Sequence, residues 1–401
     1  MRIACLGGGP GGLYFAISMK LRNPAHEITV YERNRADDTF GWGVVLSDET
    51  LGNLAANDPV SAEAIRAHFA YWDDIALVKS GRRVVSSGHG FCGIGRKQLL
   101  LLLQDRARDL GVKLVFQTEV ASAEDLAATH DLVVACDGLN SRTRTQFADH
   151  FQPDIDLREC PFVWLGTHQT FSDAFTFIFE QTEHGWVWAH AYQFDDSTAT
   201  FIVECAQATY DAFGFEHMTK EDSIATCERI FRDHLGGHSL MSNAGHVRGS
   251  AWIRFPRVLC ERWSKDNIVL LGDAAATAHF SIGSGTKLAL ESAIALAELV
   301  HTQPDLQSAF AKYESERRLQ VLRLQSAARN SLEWFEQVER YLHMDPVQLN
   351  YSLLTRSQRI SHENLRARDR GWLESAERWF QTRAGVLADA PLRAPMFAPF
   401  K

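Results

Sequence analysis

The sequence predicts an α/β fold in which a parallel-sheet domain carries an inserted, mostly antiparallel β-sheet domain and a helical C-terminal region. Three observations predict this fold. Residues 2–6 form a short apolar run that is followed by a glycine-rich turn and a helical segment. Between about residues 158 and 256, strand-like runs dominate and several alternate with period two. Residues 305–380 have a helical pattern that is rich in arginine.

The glycine-rich turn has the spacing of a dinucleotide-binding loop. Gly7, Gly9 and Gly12 fit the G-x-G-x-x-G pattern. This pattern provides a tight turn, close approach of the backbone to a pyrophosphate, and close packing of the next helix, whose N-terminus attracts phosphate. A second strand, 27–31, ends at Glu32, where a carboxylate can accept hydrogen bonds from the hydroxyls of a ribose. The chain is therefore expected to bind a dinucleotide in a Rossmann-like domain, although a plain glycine turn is the simpler alternative.

Length, charge and hydropathy exclude several classes of protein. The chain has 401 residues, enough for two or three domains, and a net charge of −9. A general nucleic-acid binder needs a basic face, so this acidic balance argues against nucleic acid as a partner. No run of 18 apolar residues is present, which argues against a membrane span.

Cysteine usage and the N-terminus predict a cytoplasmic protein. The seven cysteines are odd in number and form no C-x-x-C pair, a pattern that favours reduced thiols over disulfides or a zinc site. The first strand begins almost at Met1, so no signal peptide is expected.

The change in pattern along the chain predicts three regions. Residues 1–157 and 258–305 are assigned to one discontinuous dinucleotide-binding domain. The reason is that the segment LLGDAAA and the helix after it again show an apolar strand, a glycine turn and an apolar helix, as at the N-terminus. Residues 158–257 are assigned to the β-sheet domain and residues 306–401 to the helical region.

Two further segments have a functional and a purely structural interpretation. In the segment DGLNSRTR, Ser141 and Arg144 lie at helical spacing after the strand-exit turn at Asp137 and could face one ligand, but an Asx-type turn that caps a helix explains the same residues. In the segment FGWGVVL, Gly41 and Gly43 could lie against a flat ligand, although a plain loop is favoured.

The strand GWVWAHAYQF has one face that is both aromatic and polar. Trp186, Trp188, His190 and Tyr192 share this face at period two. Core packing is the default for such a face, and a planar aromatic substrate is the alternative.

The glycine loop with Glu32, the DGLNSRTR segment and the LLGDAAA segment together resemble the single-component flavin-dependent aromatic hydroxylases, the para-hydroxybenzoate hydroxylase family. The resemblance covers almost the whole chain. It implies bound FAD, with NADH or NADPH as a transient co-substrate, since only one dinucleotide motif is present. The residues that it implies for cofactor binding are Gly7, Gly9, Pro10, Gly12, Glu32, Arg33, Val45, Arg96, Asp137, Asp273, Gly285 and Thr286.

The resemblance also assigns roles to some of these residues. Arg96 would reach the pyrophosphate, Asp137 would lie near the pyrophosphate and the nicotinamide, and Asp273 would bind the ribityl hydroxyls. The backbone at Gly285 and Thr286 would stabilise negative charge on the reduced flavin ring. Four positions depart from the family pattern near the ring: Ala276 replaces a histidine, His279 and Phe280 replace paired prolines, and Lys287 replaces an asparagine.

Three segments, FGWGVVLSDETLGN, AHAYQFDDSTATFIVEC and HFSIGSGTKLALE, resemble hydroxylases of aromatic CoA thioesters. These are the salicylyl-CoA 5-hydroxylases and the monooxygenase half of 2-aminobenzoyl-CoA monooxygenase/reductases, and more distantly the indole hydroxylase of violacein synthesis. The resemblance implies hydroxylation of salicylyl-CoA to gentisyl-CoA with NAD(P)H and O2 through a flavin C4a-hydroperoxide, by a monomer or homodimer. The tail APMFAPFK resembles the opening of the reductase half, which favours a stand-alone hydroxylase or a shortened fusion.

Candidate residues for the chemistry follow from this hypothesis. His279 and His190 are the candidate bases for deprotonating a phenol, with a hydrogen-bonded core histidine as the alternative for each. Four arginines are candidates for binding the CoA phosphates, with surface ion pairs as the alternative: Arg356, Arg359, Arg366 and Arg368.

Other functions remain open at this point. A related enzyme could act on 2-aminobenzoyl-CoA or an indole. A flavin-free NAD-dependent dehydrogenase and a non-catalytic FAD-fold protein that holds partners are the alternatives from other classes.

Overall fold

The computed structural model describes residues 1–39, 41–243 and 251–388, with side chains through residue 383. Phe40 and the tail APMFAPFK, whose resemblance to a reductase is described above, lie outside the described residues. Within the described part of the chain, no helix is long and apolar enough to cross a membrane.

The strands are β1 (Arg2–Leu6), β2 (Glu27–Tyr31), β3 (Gly43–Leu46), β4 (Ala70–Trp72), β5 (Asp74–Lys79), β6 (Arg82–Ser86), β7 (Phe91–Gly95), β8 (Lys113–Val115), β9 (Leu132–Ala135), β10 (Pro153–Thr167), β11 (Ala174–Thr182), β12 (Gly185–Gln193), β13 (Ala199–Cys205), β14 (Leu240–Met241), β15 (Ile253–Cys260), β16 (Ser264–Lys265) and β17 (Ile268–Leu270). The helices are α1 (Pro10–Arg22), α2 (Asp48–Asn57), α3 (Pro59–Arg66), α4 (Arg96–Asp109), α5 (Ala123–Ala127), α6 (Arg142–Gln146), α7 (Ala148–Phe151), α8 (Gln207–Phe213), α9 (Lys220–Ile230), α10 (Gly285–Thr302), α11 (Leu306–Glu336), α12 (Pro346–Thr355), α13 (His362–Arg368) and α14 (Arg370–Ala388).

The first sheet has the order β16-β17-β9-β1-β2-β8, and all pairs except β16–β17 are parallel. The predicted strands 2–6 and 27–31 are confirmed at both ends. Because the carboxyl ends of parallel strands meet at one edge, the turn after β1, Glu32 after β2, Asp137 after β9 and Asp273 after β17 all lie at that edge. This edge is where an α/β fold binds its ligand.

The second sheet is mostly antiparallel, as predicted, with the order β14-β10-β13-β12-β11-β5-β6 and β15 paired to β10. The predicted boundary at residue 157 is wrong for β5 and β6, because β5 pairs in parallel with β11 and brings residues 74–86 into this sheet. Pairing buries the apolar centre of β5, Ile75 to Leu77. The amphipathic pattern of these strands shows that they need a sheet, but it does not show which sheet.

The C-terminal helices cover one face of the second sheet. Trp334 and Phe335 of α11 pack with Phe177 of β11 and Trp188 of β12 in one core cluster, to which α12 also contributes. The opposite face packs against α8 and α9 in a separate cluster. The aromatic face predicted for β12 therefore lies between the sheet and the C-terminal helices.

Candidate active site

The glycine loop contains two packed glycines and one open glycine. Gly7 has φ +120°, and a Cβ there would lie 2.2 Å from the carbonyl oxygen of Cys136. A Cβ at Gly12 would lie 2.3 Å from the carbonyl oxygen of Gly7. At Gly9, by contrast, no atom of the described residues lies within 4 Å of a Cβ. The loop thus leaves room beside Gly9, where a pyrophosphate can approach the backbone.

Glu32 closes the edge of the same cleft. One carboxylate oxygen, Oε2, accepts a hydrogen bond from the backbone N–H of Gly8 (2.7 Å), and Oε1 accepts one from the N–H of Asn34 (2.8 Å). Each oxygen has a further lone pair that can accept a bond from a ribose hydroxyl. The cleft has a volume of about 250 Å³, and its lining includes Glu32, Arg33, Arg96 and Asp137.

Two buried polar atoms at this cleft have no hydrogen-bond partner among the described residues: Nε of Arg96 and Oδ1 of Asp137. The other oxygen of Asp137 accepts bonds from the backbone N–H (3.1 Å) and hydroxyl (3.3 Å) of Thr143, so the carboxylate is fixed while Oδ1 stays available. Burial lowers the pKa of Arg96, and the nearby charge of Asp273 opposes this shift. Buried polar atoms normally have partners, so the N–H of Arg96 fits a bound pyrophosphate. Oδ1 of Asp137 can only accept a hydrogen bond, so it fits a donor group such as a ligand hydroxyl.

Ser141 and Arg144 do not face the cleft, and the ligand interpretation of these residues is wrong. The Ser141 hydroxyl accepts the backbone N–H of Arg144 (3.0 Å) and caps α6. The buried Arg144 guanidinium donates to the backbone carbonyls of Leu139, Asp273 and Ala274. These contacts join the turn after β9 to the turn after β17, because buried carbonyls in irregular backbone need donors.

Asp273 lies near Arg96 of the cleft, since the charge of each residue shifts the pKa of the other. Asp273 lies in a short 3₁₀ helix, Gly272–Ala274. Burial raises its pKa, and the charges of Arg96 and Arg144 oppose this shift. Helix α10 begins at Gly285, followed by Thr286, and no side chain caps it. Its free N–H groups can therefore stabilise negative charge on a ligand.

Val45 and the two glycines before it lie in a packed region. A Cβ at Gly283, in the loop before α10, would lie 3.6 Å from the Cβ of Val45. A Cβ at Gly41 would contact the Trp164 ring at 3.1 Å, and one at Gly43 would lie 2.7 Å from Phe194. The favoured interpretation of this segment as a plain loop is wrong for residues 43–46, which form β3 and pair with β7. The glycines allow the segment to pack on the second sheet.

The aromatic face of β12 surrounds His190. The imidazole is 2% exposed, and its centroid lies 4.8 Å from that of Phe335, 5.1 Å from Phe177 and 5.7 Å from Phe280. Burial, and then the charge of Arg356, lower the pKa of His190 to about 3. His190 is therefore neutral at physiological pH.

Glu204 is a buried carboxyl that the sequence analysis missed. Its Oε2 accepts a hydrogen bond from the indole N–H of Trp188 (2.9 Å) and lies 3.1 Å from Nε2 of His190. Burial raises the pKa of Glu204 to about 8, and the bond from Trp188 opposes this shift. A signal was present in the sequence, because one glutamate interrupts the apolar strand TATFIVEC.

His279 lies beside the same aromatic cluster. Its Nδ1 accepts a hydrogen bond from the backbone N–H of Ser281 (3.2 Å) and caps the 3₁₀ helix Phe280–Ile282. Its ring centroid is 4.2 Å from that of Phe280, a ring that also contacts His190. Burial, followed by the neighbouring His190 and Arg158, lowers the pKa of His279 to about 3. With Nδ1 accepting, the neutral ring carries its proton on Nε2 and presents a donor.

Comparison with known proteins decides the family. The family model described as "FAD binding domain" matches residues 1–327. The chain belongs to this FAD-binding family. A salicyloyl-CoA 5-hydroxylase from Streptomyces sp is 44% identical over 391 residues, which cover 95% of this chain and 74% of the relative. The protodeoxyviolaceinate monooxygenase of Chromobacterium violaceum is 34% identical over 86% of this chain and 91% of the relative.

The fold agrees with this family. The structure of 2-methyl-3-hydroxypyridine-5-carboxylic acid oxygenase superposes with a TM-score of 0.67 at 17% identity, covering 91% of this chain and 95% of that chain. The chain is an FAD-dependent aromatic monooxygenase that uses NAD(P)H and O2. The flavin-free dehydrogenase considered from the sequence is excluded.

The arginines of this monooxygenase do not form the surface cluster that was proposed for CoA. The guanidinium of Arg356 packs on the rings of Phe177 (5.0 Å) and Phe335 (5.2 Å). It donates to Ser331 Oγ (2.9 Å) and to the carbonyls of Leu353 (2.6 Å) and Ser281 (2.9 Å). Burial lowers its pKa to about 10. Arg356 therefore joins α12 to the aromatic cluster and is not available to a phosphate.

The other three candidate arginines are closer to the surface. Arg366 pairs with Glu377 (2.6 Å), and Arg368 donates to the carbonyl of His89 (3.1 Å). Arg359 is exposed. The surface ion-pair interpretation is thus correct for Arg366. Lys287, which replaces an asparagine of the family, bonds to Glu49 and lies 3.3 Å from Glu291.

Replacing Arg356 by methionine is expected to lower the free energy of unfolding by about 2–4 kcal/mol, because two backbone carbonyls and a serine lose their donor. The matched control is Arg370→Met, at an exposed arginine whose partner, Glu374, lies one helical turn away. The control should change stability by less than about 0.5 kcal/mol. Urea denaturation measures both variants. Equal small losses would show that Arg356 is a surface residue.

Proposed function

We propose that the chain hydroxylates the ring of an aromatic CoA thioester, converting salicylyl-CoA, NAD(P)H, a proton and O2 into gentisyl-CoA, NAD(P)⁺ and water. The observation that carries the proposal is the buried His190, which is enclosed by aromatic rings and lies near the loop that precedes α10. The 44% identity to a salicyloyl-CoA 5-hydroxylase supports the choice of substrate.

The residues of the cleft are proposed to hold FAD. Gly9 leaves room for the pyrophosphate, Arg96 offers its free N–H to the same group, and Glu32 accepts the ribose hydroxyls. Asp273 binds the ribityl chain, and the first N–H groups of α10 stabilise charge on the ring. Bound FAD supplies the chemistry that accepts hydride from NAD(P)H and activates oxygen.

The aromatic rings around His190 bind the planar substrate and exclude water. Phe177 and Phe335 are buried against His190, whereas Phe280 is partly exposed and offers a ring on which a benzene ring packs well. A dry site also limits the loss of reduced oxygen as hydrogen peroxide. The substrate hydroxyl makes the para carbon, position 5, electron-rich, so this carbon is attacked.

His190 is proposed as the base that removes the phenolic proton, and His279 as a hydrogen-bond donor. The two histidines differ at Nδ1. The backbone N–H of Ser281 donates a hydrogen bond to Nδ1 of His279, whereas Nδ1 of His190 has no hydrogen-bond partner among the described residues. A neutral histidine that keeps a free ring nitrogen can accept a proton. The sequence alone left both histidines as candidate bases.

Product identification tests the proposed function. The flavin-loaded protein is incubated with NADH in air and with each of three compounds: salicylyl-CoA, free salicylate and 2-aminobenzoyl-CoA. We expect stoichiometric gentisyl-CoA from the first and little product from the others. Hydroxylation of 2-aminobenzoyl-CoA alone would contradict the salicylyl-CoA assignment, and equal turnover of free salicylate would contradict a role for CoA.

We also propose that the enzyme acts in the cytoplasm as a monomer or homodimer. All seven cysteines are free thiols, which is typical of reducing compartments. Sedimentation of the flavin-loaded protein tests the oligomeric state, and a tetramer would contradict it.

A further inference from the structure

The pairing of strands β12 and β13 places three polar groups on one buried face. Trp188 lies directly opposite Glu204, and His190 lies opposite Ile202. Because successive side chains alternate, Trp188 and His190 point to the same face, and Glu204 reaches both from the neighbouring strand. The carboxyl and the imidazole are each 2% exposed. Such a buried pair costs free energy to keep, which favours a functional reason for it.

We propose that Glu204 is a positioning residue for the reaction: it holds His190 with Nε2 toward the carboxyl and Nδ1 toward the substrate, and offsets the positive charge that His190 gains. The proposal rests on the proposed function, because it assigns His190 as the base for a phenolic substrate. The two hydrogen bonds to one carboxyl oxygen, at 2.9 Å and 3.1 Å, carry it.

The proposed step moves one proton from the phenolic oxygen of the substrate to Nδ1 of His190. When Glu204 is ionised, Nε2–H of His190 donates to Oε2, and Nδ1 has a free lone pair. The phenolic O–H bond then breaks, its electron pair stays on the phenolate oxygen, and a new N–H bond forms at Nδ1. The resulting imidazolium is stabilised by the carboxylate, as in a catalytic triad.

Protonation of Glu204 blocks this transfer. A protonated Glu204 donates to Nε2 of the neutral His190, whose own proton then occupies Nδ1, so the ring cannot accept another proton there. The raised pKa of Glu204, about 8, places the change between these states near pH 8. The pair is therefore active as a base on the alkaline side of this value and inactive on the acidic side.

Other charged and titratable groups face the pair from the surrounding elements. Burial raises the pKa of Cys160, and Glu336 is ion-paired with Arg158 at 2.6 Å. Burial lowers the pKa of His279 to about 3, so this ring does not titrate near pH 8. The groups are Arg158 and Cys160 of β10, Cys205 of β13, His279, Glu336 of α11 and Arg356, which follows α12.

The test compares Glu204→Gln with a control variant, Glu180→Gln. Glu180 also pairs with a histidine, His234, at 2.6 Å, but on β11 and away from His190. Salicylyl-CoA is bound to each flavin-loaded protein without NAD(P)H, and its phenolate absorbance is followed from pH 5.5 to 9.5. A second measurement follows the rate of hydroxylation across the same range.

In the wild type, we expect the phenolate absorbance and the rate of hydroxylation to rise together as the pH approaches 8. Below pH 8, each should change about tenfold per pH unit. Glu204→Gln should lose this transition and hydroxylate about 10- to 100-fold more slowly at pH 9, with unchanged flavin content. Glu180→Gln should match the wild type. Superimposable profiles for Glu204→Gln and wild type would overturn the inference. Failure of salicylyl-CoA to bind the wild type would overturn the proposed function instead, and the inference with it.

A second variant keeps the inference testable if Glu204→Gln does not fold. Trp188→Phe removes one hydrogen bond to the carboxylate, and this bond lowers the pKa of Glu204. The transition should therefore move to higher pH in Trp188→Phe. An unmoved transition in this folded variant would overturn the role of Glu204.

Discussion

His190→Gln is expected to lower the rate of ring hydroxylation by at least about 100-fold, the contribution of a well-placed general base. Glutamine can keep a hydrogen bond to Glu204, but it has no basic nitrogen. Oxidation of NAD(P)H should continue, and its electrons should appear as hydrogen peroxide rather than as hydroxylated product. Product and peroxide assays at saturating salicylyl-CoA measure this split.

His234→Gln is the matched control for this experiment, because His234 forms another Glu–His pair, with Glu180, away from the aromatic cluster. It should retain the wild-type ratio of product to NAD(P)H consumed. If His190→Gln also retained that ratio, His190 would be a core histidine and not the base.

Gly7→Ala is expected to abolish FAD binding and to lower the free energy of unfolding by more than about 3 kcal/mol. The backbone at Gly7 has φ +120°, which side chains rarely adopt, and a Cβ would lie 2.2 Å from a backbone oxygen. The turn between β1 and α1 must therefore move. Denaturation of the flavin-free protein measures the stability loss.

Gly9→Ala should separate flavin binding from folding. Its φ is −74°, and a Cβ there meets no described atom within 4 Å, so the flavin-free protein should unfold within about 1 kcal/mol of the wild type. Titration with FAD should nevertheless show at least tenfold weaker binding, because the new methyl group occupies the space left for the pyrophosphate. Wild-type affinity in Gly9→Ala would contradict this placement of the cofactor.

The parallel sheet and its cleft were predictable from the sequence because their signals are local. A strand, three glycines, a helix and an acid follow one another within residues 2–32, so their spacing alone determines the geometry of the turn. The apolar helix after the LLGDAAA segment was predicted in the same way, and α10 begins at Gly285, one of the glycines expected to precede it.

The substrate side was less predictable because its contacts connect distant segments. The placement of β5 in the second sheet depends on pairing with β11, about a hundred residues later. Arg356 resembles a surface arginine in the sequence, yet it contacts a loop that includes Ser281. The role of Glu204 could not be assigned without the register that aligns it with Trp188. Tertiary pairing, and not local pattern, decides these positions.

The proposed reaction transfers one oxygen atom from O2 to an activated ring, and isotope labelling tests this transfer most directly. The flavin-loaded protein is supplied with salicylyl-CoA, NADH and ¹⁸O2, and the product is analysed by mass spectrometry. We predict gentisyl-CoA with a single ¹⁸O atom, at the hydroxyl of position 5. Consumption of NADH with an unlabelled, unchanged ring would contradict this oxygen transfer.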